Sequence, residues 1–181
     1  MSSPDTLRRR LLQGAVGVLL LVGPTACFRP LYGPTASGAP VQEKLAEVQV
    51  EMPEGPQGQE RFGHYLRSEL IFNLDGSGKN DTPKRYKLLI STTESVQGTT
   101  IDIVSGRANT AVLNGAANFR LTAMDGTTVL LSGVERASAT YYRDEQRFAN
   151  VRAARDADIR VAKTIADNLR QRIAAFFATA S

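Results

Sequence analysis

The chain has 181 residues, 42% of them hydrophobic and 22% charged, with one cysteine and one histidine. That balance supports a packed core and excludes a wholly disordered chain. The formal charge is +4, and half of it comes from Arg8, Arg9 and Arg10 less Asp5, all ahead of Cys27. The remainder is close to neutral, which argues against a dedicated nucleic-acid binder.

The first 26 residues read as a signal peptide. Arg8-Arg9-Arg10 precedes an uncharged stretch from Leu11 to Gly23, and Pro24-Thr25-Ala26 leads to Cys27. Such a stretch is about 20 Å long as a helix, short of a bilayer core of about 30 Å. A basic start, an apolar centre and small residues before a cut form an export signal. The arginine run also fits a twin-arginine signal loosely, so either export route is open. A lone thiol in an oxidising compartment is a liability, and Cys27 follows Thr25 and Ala26 as a lipid-accepting cysteine would. Pro24 departs from the leucine usual at that position, and an ordinary signal peptide is the alternative. Cys27 is therefore the expected lipid attachment site, and Phe28 after it favours outer-membrane sorting. Acyl chains contribute about 0.8 kcal/mol per buried methylene, so a triacylated cysteine would hold firmly.

Residues 27–43 carry Pro30, Gly33, Pro34, Gly38 and Pro40 and read as a flexible tether. The folded domain is expected over 44–181. Over 44–52, Ala46, Val48, Val50 and Met52 alternate, which predicts a strand. Over 59–74 the period changes to four, with Phe62, Leu66 and Leu70 flanked by Ile71 and Leu74. That stripe predicts an amphipathic helix, stopped by Asp75-Gly76-Ser77-Gly78. Tyr86, Leu88, Ile90 and Thr92 begin a second strand, and 107–124 form a third with Ala117, Phe119, Leu121 and Ala123 alternating. Asp125-Gly126 predicts a two-residue hairpin into a fourth strand over 127–142. That turn would set Leu121 against Leu130 and Ala117 against Val134, with Gly133 marking a bulge.

The segment 145–178 has neither proline nor glycine. Val161, Ile165, Leu169, Ile173 and Phe176 form its apolar stripe, which Val151 and Ala154 extend backwards. Arg155, Arg160, Lys163, Asp167, Arg170 and Arg172 fall on the other face. The expected fold is an α+β two-layer sandwich in the order β-α-β-β-β-α, a four-stranded mixed sheet with both helices on one face. The other sheet face, with Ser91, Thr93, Asn118, Arg120 and Thr122, is small and polar enough to meet solvent or a partner.

Catalysis finds little support. His64 stands alone on a helix, where a surface or boundary role is the usual one. Asp75-Gly76-Ser77-Gly78-Lys79 lacks the spacing of a phosphate loop and follows a helix. Asp156 and Asp158 lie two apart on a helix and point away from each other. The expectation is no enzyme, no metal and no cofactor. Arginines collect near the sheet and its exits, at Arg107, Arg120, Arg136, Arg143, Arg147 and Arg152. Guanidinium groups suit phosphate, although an ordinary solvated basic face explains them equally well.

Cys27-Phe28-Arg29-Pro30-Leu31-Tyr32-Gly33 resembles the mature start of LptE lipoproteins of the alphaproteobacterial type. The element order is similar too, as is the passage from Tyr141-Tyr142 through Phe148-Ala149-Asn150 into an arginine-rich helix. The resemblance covers the whole mature chain, and its first seven residues are its most specific part. It implies an assembly factor that sits in the lumen of the LptD β-barrel, helps the barrel fold and contacts lipopolysaccharide. On that reading the protein is anchored in the outer membrane and faces the periplasm and the barrel lumen. Arg107, Arg120, Arg136 and Arg152 become candidates for lipopolysaccharide contact, with Arg107 similar in position to a basic residue of the family. The alternative is a non-enzymatic lipoprotein scaffold serving another envelope partner.

Overall fold

A computed structural model describes residues 40–52, 60–76, 82–101, 108–143 and 146–179. Cys27, the export segment and Arg107 lie outside them. In chain order the elements are α1 (Val41–Ala46), β1 (Val48–Glu51), α2 (Glu60–Asp75), β2 (Tyr86–Ile101), β3 (Ala108–Ala123), β4 (Val129–Tyr142) and α3 (Arg147–Thr179). The strands form one sheet in the order β1-β2-β3-β4, with β1 parallel to β2 and the later pairs antiparallel. Both long helices pack on one face, so the expected mixed sheet with one helical layer is present.

The short α1 was not expected. Val41 and Leu45, four residues apart, are both buried, and the chain turns at Glu47 before β1 begins. The alternating pattern therefore ends at Val48, and Lys44 to Ala46 are helical instead of extended. Val41, placed by the sequence in the tether, belongs to the core. A single four-residue spacing is too brief to stand out against the longer alternation after it.

The α2 helix buries the expected stripe of Phe62, Leu66, Leu70 and Leu74. Gly76 ends it at φ +71, and its N–H donates to the Phe72 carbonyl at 2.9 Å. A left-handed residue after the last turn favours glycine for want of a Cβ. On the sheet, alternate residues of β2 and β3 meet this helical layer, among them Leu88, Ile90, Leu113, Ala117 and Leu121. In one row of this face, Glu94–Gly115–Ala137, the two residues on β3 and β4 have little or no side chain, and the helices press close there. A Cβ on Gly115 would lie 2.6 Å from Val161 Cγ1 and 2.9 Å from Phe62 Cζ.

The β3–β4 hairpin departs from the expected register. Ala123 and Thr128 pair as the Asp-Gly turn requires, and so do Thr122 and Val129. A bulge then shifts the ladder, setting Leu121 against Leu131 and Ala117 against Glu135. The extra residue is Leu130, so the bulge lies next to the turn and not at Gly133. The turn is also wider than two residues, with Gly126 donating to the Ala123 carbonyl and Asp125 accepting from the Thr127 and Thr128 amides. Only Gly126 has positive φ there, whereas a two-residue type I′ turn would need it at Asp125 as well. Gly133 has another use, because a Cβ there would lie only 2.9 Å from Nη2 of the Arg172 guanidinium. That group also bonds Glu135 at 2.6 Å and rests 5.2 Å from the Phe119 ring centroid.

With 33 residues, α3 is about 50 Å long. Val161, Ile165, Leu169 and Ile173 are buried as expected, while at the end Phe177 takes the place expected of Phe176. Two assignments change. Val151 is largely exposed, because the first turns of α3 run past the core. Arg170 is half-buried, not on a free outer face, and its Nη2 donates to Gln42 of α1. The unexpected α1 is what covers it.

Candidate functional site

Of the four arginines singled out from the sequence, Arg107 lies outside the described residues, and Arg120, Arg136 and Arg152 are not all brought together. Arg120 and Arg136 are exposed on the open face of the sheet, Arg120 in the row Leu89–Arg120–Ser132 and Arg136 in the row Thr93–Ala116–Arg136. Four residues of strand separate the rows, about 13 Å. Between neighbouring rows the small side chains of Thr93, Ser95, Asn114, Ala116 and Ser138 leave a shallow depression of about 420 Å³ bordered by Arg136. Arg152 belongs to the other layer, on the exposed start of α3.

That start of α3 shares one end of the molecule with the end of β4. Tyr142 is 81% exposed and Phe148 is 74% exposed, with Val151 between the arginines of the next turn. Arg143, Arg147 and Arg152 stand beside these apolar residues in the sequence, exposed and without an ion-pair partner among the described residues. Arg143 lies 6.0 Å from the Tyr141 ring centroid, and its N–H donates to the Asn109 carbonyl at 2.9 Å. The bond holds the end of β4 against the start of β3. Exposed aromatic and aliphatic surface beside free guanidinium groups can meet an amphiphile with an anionic head. The arginines of this end were legible in the sequence. The exposure of Phe148 and Val151 was not, because periodicity alone assigns apolar helix residues to the core.

A different charged group is buried beneath α2 and α3. The Asp158 side chain is 2% exposed and accepts from Arg61 Nε at 2.6 Å, while the Arg61 side chain remains 50% exposed. Nearby, the Arg155 Nε donates to the Tyr65 hydroxyl at 2.7 Å. Glu94 faces the same group from β2, and burial and then the negative charge of Asp158 raise its pKa against the smaller opposing effect of Arg61. In the sequence Asp158 reads only as pointing away from Asp156. Its partner is 97 residues away, which no local pattern could indicate. The cluster joins two helices to the sheet.

Among the described residues no three acidic, histidine or cysteine side chains are grouped to hold a metal ion. Nor is any helix there long and apolar enough to cross a membrane.

Comparison with known proteins gives the lineage. Among solved structures, a protein of Caulobacter crescentus CB15 described as a lipoprotein superposes with a TM-score of 0.62 at 24% identity, over 78% of this chain and 97% of that one. The uncharacterized lipoprotein B of Nitrosomonas europaea gives 0.54 at 16% identity, over 73% and 84%. A minor lipoprotein of Acinetobacter baumannii gives 0.50 at 18% identity, over 71% and 90%. At these identities the likeness establishes the fold. No curated protein matches the chain significantly. The family profile of LptE, described as lipopolysaccharide-assembly, matches residues 45–173 and so spans every element from the end of α1 into the last turns of α3. The chain belongs to the LptE family.

Proposed function

We propose that this protein is a non-catalytic lipoprotein of the outer membrane that works with the LptD β-barrel to place lipopolysaccharide in the outer leaflet. Cys27 carries its acyl chains, and residues 28–39 lead from the lipid to the folded domain. The domain fills the barrel lumen as a plug and supports the barrel's folding. The family match over the domain carries this reading. The basic and aromatic end adds a place for the lipid itself. There Arg143, Arg147 and Arg152 meet phosphate groups, while Tyr142 and Phe148 lie along acyl chains; Arg107, next in sequence to β3, is a further candidate. Arg120 and Arg136 offer a second, flatter contact on the open sheet.

Purification of the full chain from membranes in mild detergent tests the partnership, with a large β-barrel expected to accompany it. Intact-mass measurement of the same material should show acyl chains on the wild type and none on Cys27→Ser. Binding of lipopolysaccharide should weaken as salt is raised, since exposed charges are screened over about 8 Å in physiological salt. Charge reversal at Arg147 and Arg152 together should weaken it more than reversal at Lys163, an exposed residue farther along α3. Recovery of the protein with a different envelope partner and no barrel would replace this reading with the scaffold one.

A further inference from the structure

Among the described residues the outer edge of β1 is open, and a groove runs along it. β1 ends the sheet, so one of its two edges has no strand beside it among the described residues. The Glu47 carbonyl accepts from the Arg85 N–H at 2.9 Å, which directs the backbone of Glu47 toward β2. Backbone groups alternate in direction along a strand, so Gln49 and Glu51 also turn inward while Val48 and Val50 turn theirs to the free edge. Beside that edge lie two adjoining depressions of about 360 Å³ and about 600 Å³. The first lies between β1 and α2, against Val48, Val50, Ile71 and Leu74. The second continues past Met52 and round the edge to Leu89.

The charges along the groove are unequal. Lys84 pairs with Asp75 at 3.2 Å, and Glu51 pairs with Lys87 at 3.1 Å. Arg67 borders both depressions, is exposed, and has no ion-pair or hydrogen-bond partner among the described residues. Among the described residues, a channel of mixed apolar and polar lining beside unpaired strand amides, with Arg67 uncompensated over it, fits an acidic extended peptide. We propose that the groove docks an extended segment of a partner protein as an added strand. The segment pairs its backbone with Val48 and Val50, seats an apolar side chain against Ile71 and Leu74, and offers a carboxylate to Arg67. Strand addition of this kind draws affinity from main-chain bonds and selectivity from pockets for alternate side chains. The groove lies apart from the basic end, and this inference does not rest on contact with lipopolysaccharide.

A phage-displayed library of heptapeptides, selected on the full chain in detergent, supplies the probe. Selected peptides should alternate apolar residues and carry an acidic side chain, and a synthetic copy should slow amide exchange at Val48 and Val50. Methylating the peptide nitrogens that face β1 should weaken binding about tenfold or more, as expected for the loss of two main-chain bonds. Methylating those that face away should change little. Arg67→Glu should abolish selection and Arg67→Lys should retain most of it, with circular dichroism unchanged in both because the side chain is on the surface. The proposal is overturned if no peptide is enriched over the Arg67→Glu control. It is overturned equally by peptides that bind as well when methylated on the β1 side, or that protect amides elsewhere.

Discussion

Adding one methyl group at Gly115 tests the closest approach of the helices to the sheet. In Gly115→Ala the new Cβ would lie 2.6 Å from Val161 Cγ1 and 2.9 Å from Phe62 Cζ, well inside ordinary contact. Neither neighbour yields easily, since Phe62 is fully buried and Val161 nearly so. Valine is also stiff about its first side-chain bond. Overpacking of this kind costs about 1–3 kcal/mol. Gly115 lies in extended β3 without positive φ, so alanine itself is unstrained there and recovers roughly 0.5–1 kcal/mol of backbone entropy. The clash wins, and a net loss of about 1–2 kcal/mol lowers the melting temperature by on the order of 5 °C. Urea unfolding followed by circular dichroism measures it. The decisive measurement is the double variant with Val161→Ala, which opens the space that the new methyl needs. It should be less destabilised than the sum of the two single changes by about 1–2 kcal/mol. Strict additivity, or a neutral Gly115→Ala, would show that the helices do not bear on the sheet at this row.

The buried charges give two further tests. Glu94 has a raised pKa when folded, so the folded protein holds that proton more tightly than the unfolded chain does and stability rises as pH falls through the folded value. Glu94→Gln should therefore unfold at a higher temperature than wild type at pH 7, with the gap closing as pH falls toward the ordinary carboxylate range; a gap that widens in acid would refute the direction. Removing Arg61 strands the Asp158 carboxylate in the core, whereas removing the carboxylate leaves Arg61 half in water. Arg61→Ala should accordingly cost about 3 kcal/mol and Asp158→Asn distinctly less, and the reverse order in chemical denaturation would count against it.

Much of this fold is written in local periodicity. Phe62, Leu66, Leu70 and Leu74 report the inner face of α2, and Val161 through Ile173 report that of α3, because each stripe is long enough to average out exceptions. What was not legible depends on distant contacts. The bulge that sets Leu121 against Leu131 follows a wider turn than the Asp-Gly pair suggests, and side-chain pattern tolerates either register there because Leu130 and Leu131 are both apolar. α1 rests on two buried residues that pack against α2 and α3, and its presence in turn changes the surroundings of Arg170. The candidate lipid contacts were legible as residue types only. Arg120 and Arg136 share a face with each other and not with Arg152, a division that follows from topology alone.

The place of α3 in the chain has a consequence for the order in which the protein becomes whole. It supplies ten of the buried residues, and it touches α1, α2, β3 and β4. Tyr86 at the start of β2 meets Phe177 near the end of α3, with ring centroids 4.9 Å apart. Most of the earlier elements thus have an apolar side that waits for one helix added after all the strands. A chain emerging from its N-terminus can form the hairpins but cannot seal them, since contacts of long sequence separation close last. Without α3 the inner faces of α2, β3 and β4 would stand open to water, so the packed core depends on the last part of the chain to be made.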